Sequence, residues 1–217
     1  MVLVFASNNA HKLEEVRAIM PVGVDVLSLR DIGFEQEIEE TGTTLEENSY
    51  IKASTVAAYI GERLKVKGER KIDGVFADDT GLEIDALGGE PGVYTARWYL
   101  MDKGAKEAKT DLENFAANRA KALRELVEKE NRNCQFRTVI TLIKPSAFSS
   151  QPSVRQVEGI VRGRIAEKEY GEGGFGYDPV FIPEGYDKTF GELPAELKNN
   201  ISHRARALAE LVKILHD

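Results

Sequence analysis

Apolar and polar positions follow two periods along this chain. The run "VLVFA" (Val2 to Ala6) is apolar throughout and stops at polar "SNN", the signature of a buried strand. In "HKLEEVRAIM" the apolar residues Leu13, Val16 and Met20 return at helical spacing, and Pro21 ends the helix. "VGVDVLSL" reads as a second strand. "TTLEENSYIKASTVAAYIGERL" opens with Thr44 three residues before Glu47, a capping box, and Leu45, Ile51, Val56 and Ile60 supply the apolar side of a long helix. "GVFADDTGLEIDAL" reads as two strand-like runs joined by an acidic turn. "TDLENFAANRAKALRELVEKE" is an amphipathic helix with Leu112, Phe115, Leu123 and Leu126 on one side. "CQFRTVITLI" and "SVRQVEGIVRGRI" are long β-like stretches, expected to pair as antiparallel neighbours across the loop "KPSAFSSQPS". "SHRARALAELVKIL" closes the chain as a helix with Ser202 as N-cap. Strands alternating with helices around a central β pair predict an α/β fold with a mixed sheet.

The 217 residues suit one domain, 1–217, or two lobes sharing a core. No apolar run approaches the roughly 20 residues of a membrane helix. The first residues lack the basic and long apolar regions of a signal peptide, so a cytoplasmic protein away from membranes is expected. Cys134 is the only cysteine, which excludes an internal disulfide and a cysteine-based zinc cluster, and its apolar neighbours predict a small buried hydrophobe. With 29 basic against 36 acidic residues the net charge is −7, unsuited to a broad nucleic-acid surface but compatible with a small phosphorylated ligand.

Five segments carry polar residues that local structure does not require. In "SNNAHK" (Ser7 to Lys12) a helix start favours an anion, and Lys12 in the first turn opposes the helix dipole unless a phosphate joins it. The plain reading is an N-cap at Asn8 or Asn9 with a solvated lysine. In "EIEETG", Glu37, Glu39 and Glu40 are either capping charges or ligands for a hard cation, with Asn48 and Lys52 one turn apart on the following helix. In "ADDTG", Asp78 and Asp79 repel unless a cation relieves them; they form an acidic turn, or else one holds Mg²⁺ while the other orients a water. "LKNNISHR" places Lys198, His203 and Arg204 around a helix start, as solvated cations or as donors to a ligand oxygen. "GGFGYDPVF" (Gly173 to Phe181) is either a glycine-dependent turn or a platform on which a flat ligand lies, with Asp178 at its edge.

Together, "SNNAHK", "EETGTTLEENSYIKA", "FADDTGLEIDALGGEPGVYTARW", "GGFGYDP" and "KNNISHR" resemble, in order and spacing, the inosine triphosphate pyrophosphatase family, from Val2 to about Leu215. The resemblance implies a mixed twisted sheet flanked by helices, in two lobes with the active-site cleft between them. It also implies cleavage of dITP, ITP and XTP between the α- and β-phosphates, giving a monophosphate and pyrophosphate, with Mg²⁺ as cofactor and a homodimer as the assembly. By the same resemblance Ser7, Asn9 and Lys12 grip the phosphates, in a substrate-binding run that also includes Asn8, Ala10 and His11. Glu39 and Asp79 hold Mg²⁺ with Asp78 beside them, Asp79 is the candidate proton acceptor, and Thr80 touches substrate. Phe175 stacks on the purine beside Gly176, Tyr177 and Asp178, and Lys198, His203 and Arg204 read the base. Thr80 and Thr95 stand where the family usually has serine, and Tyr177 where some relatives carry tryptophan.

Stacking accepts any purine, so selectivity must come from donors aimed at the 6-oxo group, which adenine lacks. Two other readings stay open: a Mg²⁺-dependent pyrophosphatase of different base preference, and a catalytically silent nucleotide sensor.

Overall fold

The computed structural model describes residues 1–63, 71–144, 152–172 and 175–215. Most of the "KPSAFSSQPS" loop falls outside them, as do Gly173 and Gly174. In chain order the elements are β1 (Val2–Phe5), α1 (Ala10–Ile19), β2 (Asp25–Leu27), α2 (Leu45–Arg63), β3 (Gly74–Ile84), β4 (Pro91–Gly92), α3 (Asp111–Glu125), β5 (Asn133–Lys144), β6 (Ser153–Ile165), β7 (Phe181–Pro183), α4 (Ala195–Ile201) and α5 (His203–Ile214). The strand order is β2-β1-β3-β5-β6-β7, with β4 on β3 off this path. Pairing is parallel for β1 with β2 and β3, and antiparallel for β3 with β4 and β6 with β7, a mixed sheet as expected. Among the described residues no helix is long and apolar enough to cross a membrane.

The chain divides into two compact units. Unit 1 is Met1–Asp79, Thr138–Gly159 and Arg204–Asp217; unit 2 is Thr80–Arg137 and Ile160–His203. Successive side chains on a strand point to opposite faces, and unit 1 buries both faces of β1 and β3. Leu3, Phe5 and Phe76 form one core with Val16 of α1 and Ala207, Leu208 and Leu211 of α5. Val4, Ala6, Val75 and Ala77 form another with Ala53, Val56 and Ile60 of α2. The capping box of α2 is present: the Glu47 N–H donates to Thr44 Oγ1 at 3.1 Å, and Glu47 Oε2 accepts from the backbone N–H of Thr43 and Thr44.

Unit 2 has its own core of Leu82, Ile84, Trp98, Leu126, Phe136, Val161, Phe181 and Phe190. Trp98 belongs to it, whereas Tyr94 is exposed. Cys134 is buried there, and burial pushes its thiol pKa up. Leu112 is exposed, because as a first-turn residue of α3 it lies outside the core that Leu126 and Ala122 reach.

"ADDTG" is not a turn. Asp78, Asp79 and Thr80 lie in the middle of one eleven-residue strand, β3. The repulsion that predicts a break is removed because the two carboxylates leave the strand on opposite faces and each meets cations there.

Candidate active site

The even-numbered face of β3 carries Asp78 toward α1 and α5. Lys12 Nζ donates to Asp78 Oδ1 at 3.0 Å and Arg204 Nε to Oδ2 at 3.0 Å; a second Arg204 nitrogen donates to Glu15. Asp78 and Arg204 are 1% and 2% exposed, a dry pair at the centre of a network whose outer members, Lys12 and Glu15, are half-buried. Burial pushes Asp78 up, but Lys12, then Arg204 and Lys52, outweigh it and hold its pKa below the carboxylate range. Lys12 is lowered, chiefly by burial, against the pull of Asp78. Its first-turn position is therefore explained inside the protein. Asn9 is the N-cap of α1, its Oδ1 accepting the Lys12 N–H at 3.0 Å, and Ser7 Oγ accepts the Asn9 N–H at 3.2 Å. Asn8, Ala10 and His11 are exposed along the same segment.

The odd-numbered face carries Asp79 toward α2. Lys52 Nζ donates to Asp79 Oδ1 and to Glu40 Oε1, both at 2.8 Å. Burial raises the pKa of Asp79 in spite of Lys52, while Asp79, Glu40 and Asp78 together raise Lys52 against its own burial. Lys52 thus meets the acids through Glu40 and Asp79 and not through Glu39. Glu39 is exposed, and among the described residues neither its carboxylate nor Asp79 Oδ2 has a hydrogen-bond or ion-pair partner. Asn48, one turn before Lys52, is fully buried; its Oδ1 accepts the Gly42 N–H at 2.8 Å, while its Nδ2 has no partner among the described residues.

This donor set suits a hard divalent cation. Asp79 and Glu39 offer open carboxylate oxygens, and a carboxylate raised by burial is relieved by positive charge. Among the described residues no three or more acidic, histidine or cysteine side chains gather into a cage. Such a cation would complete its shell with water and ligand oxygens, as Mg²⁺ habitually does. Both Asp78 oxygens are taken by Lys12 and Arg204.

In unit 2, Phe175 to Asp178 form a turn that also supports the Phe175 ring. The Asp178 N–H donates to the Phe175 carbonyl at 3.2 Å, and Gly176 takes φ +63°, where glycine is favoured. Asp178 is buried; its Oδ2 accepts the Phe175 N–H at 2.8 Å and Lys198 Nζ at 2.7 Å. Lys198 Nζ also stands 5.1 Å from the Phe175 ring centroid. Tyr177 is buried with its hydroxyl donating to the Thr95 carbonyl at 3.2 Å, so it braces the turn instead of facing outward. His203 is buried and stacks on Phe136, centroids 4.8 Å apart and 27° between planes. Thr80 is half-buried on β3.

The residues picked from sequence thus form two groups. Unit 1 gathers Ser7, Asn9, Lys12, Asn48, Lys52, Asp78, Asp79 and Arg204; unit 2 gathers Phe175, Gly176, Asp178, Lys198 and His203. Sequence reasoning missed Glu15, the partner of Arg204, although its spacing three residues after Lys12 puts both on one side of α1. It also missed Phe115 and Arg119, which meet the Phe175–Gly176 turn. A cavity of about 670 Å³ in unit 2, with Glu83, Gln135, Arg162 and Arg164 in its wall, is lined by none of the candidate site residues.

A family profile described as the Ham1 family matches residues 3–214. The dITP/XTP pyrophosphatase of Bacillus subtilis is 45% identical over 215 residues, covering 98% of this chain and 96% of the relative. The dITP/XTP pyrophosphatase of Flavobacterium johnsoniae is 42% identical over 215 residues, covering 99% and 98%. The solved structure of the Staphylococcus aureus Ham1 protein aligns with a TM-score of 0.79 at 36% identity, covering 100% of this chain and 98% of that one. The resemblance read from the motifs is borne out over the whole chain. It belongs to the Ham1 family.

Proposed function

We propose that this chain hydrolyses modified purine nucleoside triphosphates (dITP, ITP and XTP) to the monophosphate and pyrophosphate, removing them from the nucleotide pool. One observation carries the reading: two adjacent buried aspartates of opposite electrostatic character. Asp78 is a fixed anion clamped between Lys12 and Arg204, and Asp79 is a buried carboxylate with an elevated proton affinity. A carboxylate of the second kind suits a proton acceptor for an attacking water.

Phosphoryl chemistry needs positioning and charge neutralisation more than covalent help. Lys12, held in place by Asp78, and Lys52, held by Asp79 and Glu40, would present cations to the phosphates, beside the N-terminus of α1. Asp79 Oδ2 would take the proton of the attacking water. Asp79 and Glu39 would hold Mg²⁺, which when bound supplies further charge neutralisation at the phosphate oxygens. In unit 2, Phe175 would stack on the purine, and Lys198 and His203 would supply donors for its 6-oxo group. Arg204 is assigned to fixing Asp78, because its guanidinium is spent on Asp78 and Glu15. A homodimer and a cytoplasmic setting belong to the same proposal, the homodimer on the family resemblance alone.

The test is incubation of the purified chain with dITP and Mg²⁺, separating pyrophosphate from orthophosphate. Pyrophosphate with deoxyinosine monophosphate is the expected product pair. Orthophosphate alone would defeat the reading, and thermal stabilisation by dITP without turnover would point to the sensor.

A further inference from the structure

We propose that Arg119, with Phe115 one turn before it on α3, is the positioning residue that sets the pose of the Phe175 ring and so the strength of purine binding; this rests on the reading of Phe175 as the base platform. Residues 115 and 119 are four apart and share a helix face. Phe115 meets Phe175 with centroids 5.8 Å apart and 59° between planes. Arg119 Nη1 donates to the Gly176 carbonyl at 2.9 Å. Its Nε lies 3.0 Å from Glu169 Oε1 without the alignment of a hydrogen bond, so Glu169 balances the charge while the directed bond goes to the turn.

The turn needs such a grip. Gly176 is at φ +63°, and a methyl group built on it would meet nothing within 4 Å among the described residues, so no neighbour packs against that side of the turn. Asp178 secures the Phe175 N–H from within the turn. Arg119 holds the other side of the ring-bearing segment, from a helix anchored independently by Asn118 to the Ala96 carbonyl and the Tyr99 N–H. With the amide side and the carbonyl side both held, the ring has one orientation, beneath Lys198. Losing Arg119 frees the Gly176 peptide to swing, and a stacking partner that must first be ordered binds more weakly.

The experiment compares Arg119→Met, which keeps an apolar stem, with Arg119→Lys, which keeps a cation. It reads KM and kcat for dITP, inhibition by inorganic pyrophosphate, and hydrogen exchange at the Phe175 and Asp178 amides. Arg119→Met is expected to raise KM about 10-fold with kcat changed less than about 2-fold, the size of one charged hydrogen bond. Exchange at both amides should quicken, pyrophosphate inhibition should stay at the wild-type level, and Arg119→Lys should recover most of the loss. Unchanged exchange, or an unchanged KM in an enzyme that turns dITP over, would overturn the inference. So would a parallel loss of pyrophosphate inhibition, which would signal general damage. A wild-type chain inert toward dITP fails the functional reading instead, and the exchange comparison still decides whether Arg119 holds the turn.

Discussion

Asp78 and Asp79 are consecutive on β3, yet their carboxylates sit on opposite faces and their pKa values move in opposite directions. The strand's two-residue period separates them, and the helices on each face supply different cations. Lys12 and Arg204 outweigh the desolvation of Asp78; Lys52, shared with Glu40, does not outweigh that of Asp79. A pair of identical residues is divided into a fixed anion and a carboxylate of raised proton affinity without any change in chemistry.

Asp79→Asn should therefore lower kcat by about 10²- to 10⁴-fold, the usual contribution of a positioned base. The amide still offers an oxygen to Lys52, so the melting temperature should remain within a few degrees of wild type. Turnover close to wild type at saturating Mg²⁺ would remove Asp79 from the role of acceptor.

Asp78→Asn is expected to act on stability. It leaves Lys12 and Arg204 facing a neutral group in a dry site, which costs about 3–5 kcal/mol when one partner of a buried pair is removed. The sign of the pH dependence follows from the lowered pKa. An unfolded aspartate titrates near about 3.9 and the folded one lower, so the stabilisation is complete above that value and is lost as pH falls toward the folded pKa. Urea unfolding should show a large gap between wild type and Asp78→Asn at pH 7 that narrows by pH 3. A gap equal at both pH values would mean that the ion pair is not its source.

The sequence made the helices and most strands legible because their apolar periods and caps are local signals. Thr44 with Glu47 marked the start of α2, and Asn9 was one of two positions offered for the start of α1. β3 was misread at its centre, since Asp-Asp-Thr-Gly has turn composition, and only the distant Lys12, Lys52 and Arg204 make it tolerable in a buried strand. α4 passed unseen because seven residues give too little periodicity. The motifs located the polar residues but not their pairing. That Arg204 serves Asp78, and that Tyr177 braces Thr95, depends on long-range contacts that no local pattern encodes.

Glu39 and Glu40 are neighbours with different surroundings. Lys52 engages Glu40, whereas the Glu39 carboxylate has no partner among the described residues. Titrating Mg²⁺ against activity should show Glu39→Gln needing at least about 10-fold more metal for half-maximal rate, in the range that loss of a supporting ligand produces. Glu40→Gln should need little more metal than wild type, its effect falling on Lys52. The opposite order would transfer the metal role to Glu40.

Phe175 and Lys198 test separately how a purine is held and how it is chosen. A ring face accepts every base, so Phe175→Leu should raise KM for dITP, XTP and dATP alike, by the roughly 5- to 150-fold that about 1–3 kcal/mol of stacking implies. On the proposed reading Lys198 would carry the directional part: its ammonium is 2.7 Å from Asp178 Oδ2 and stands over the ring. In Lys198→Met, Asp178 keeps its bond from the Phe175 N–H but loses its buried cation. The fold should lose stability as well as the proposed donor to the 6-oxo group, so the comparison is made as a ratio of two nucleotides within one variant. The ratio of kcat/KM for dITP over dATP should then drop by about 100-fold or more, because a site built around a hydrogen bond loses its preference with the donor. Measuring both nucleotides on both variants decides the matter. If Phe175→Leu moves that ratio as far as Lys198→Met does, stacking and selection are not separate, and the donor set for the base must be sought elsewhere in unit 2.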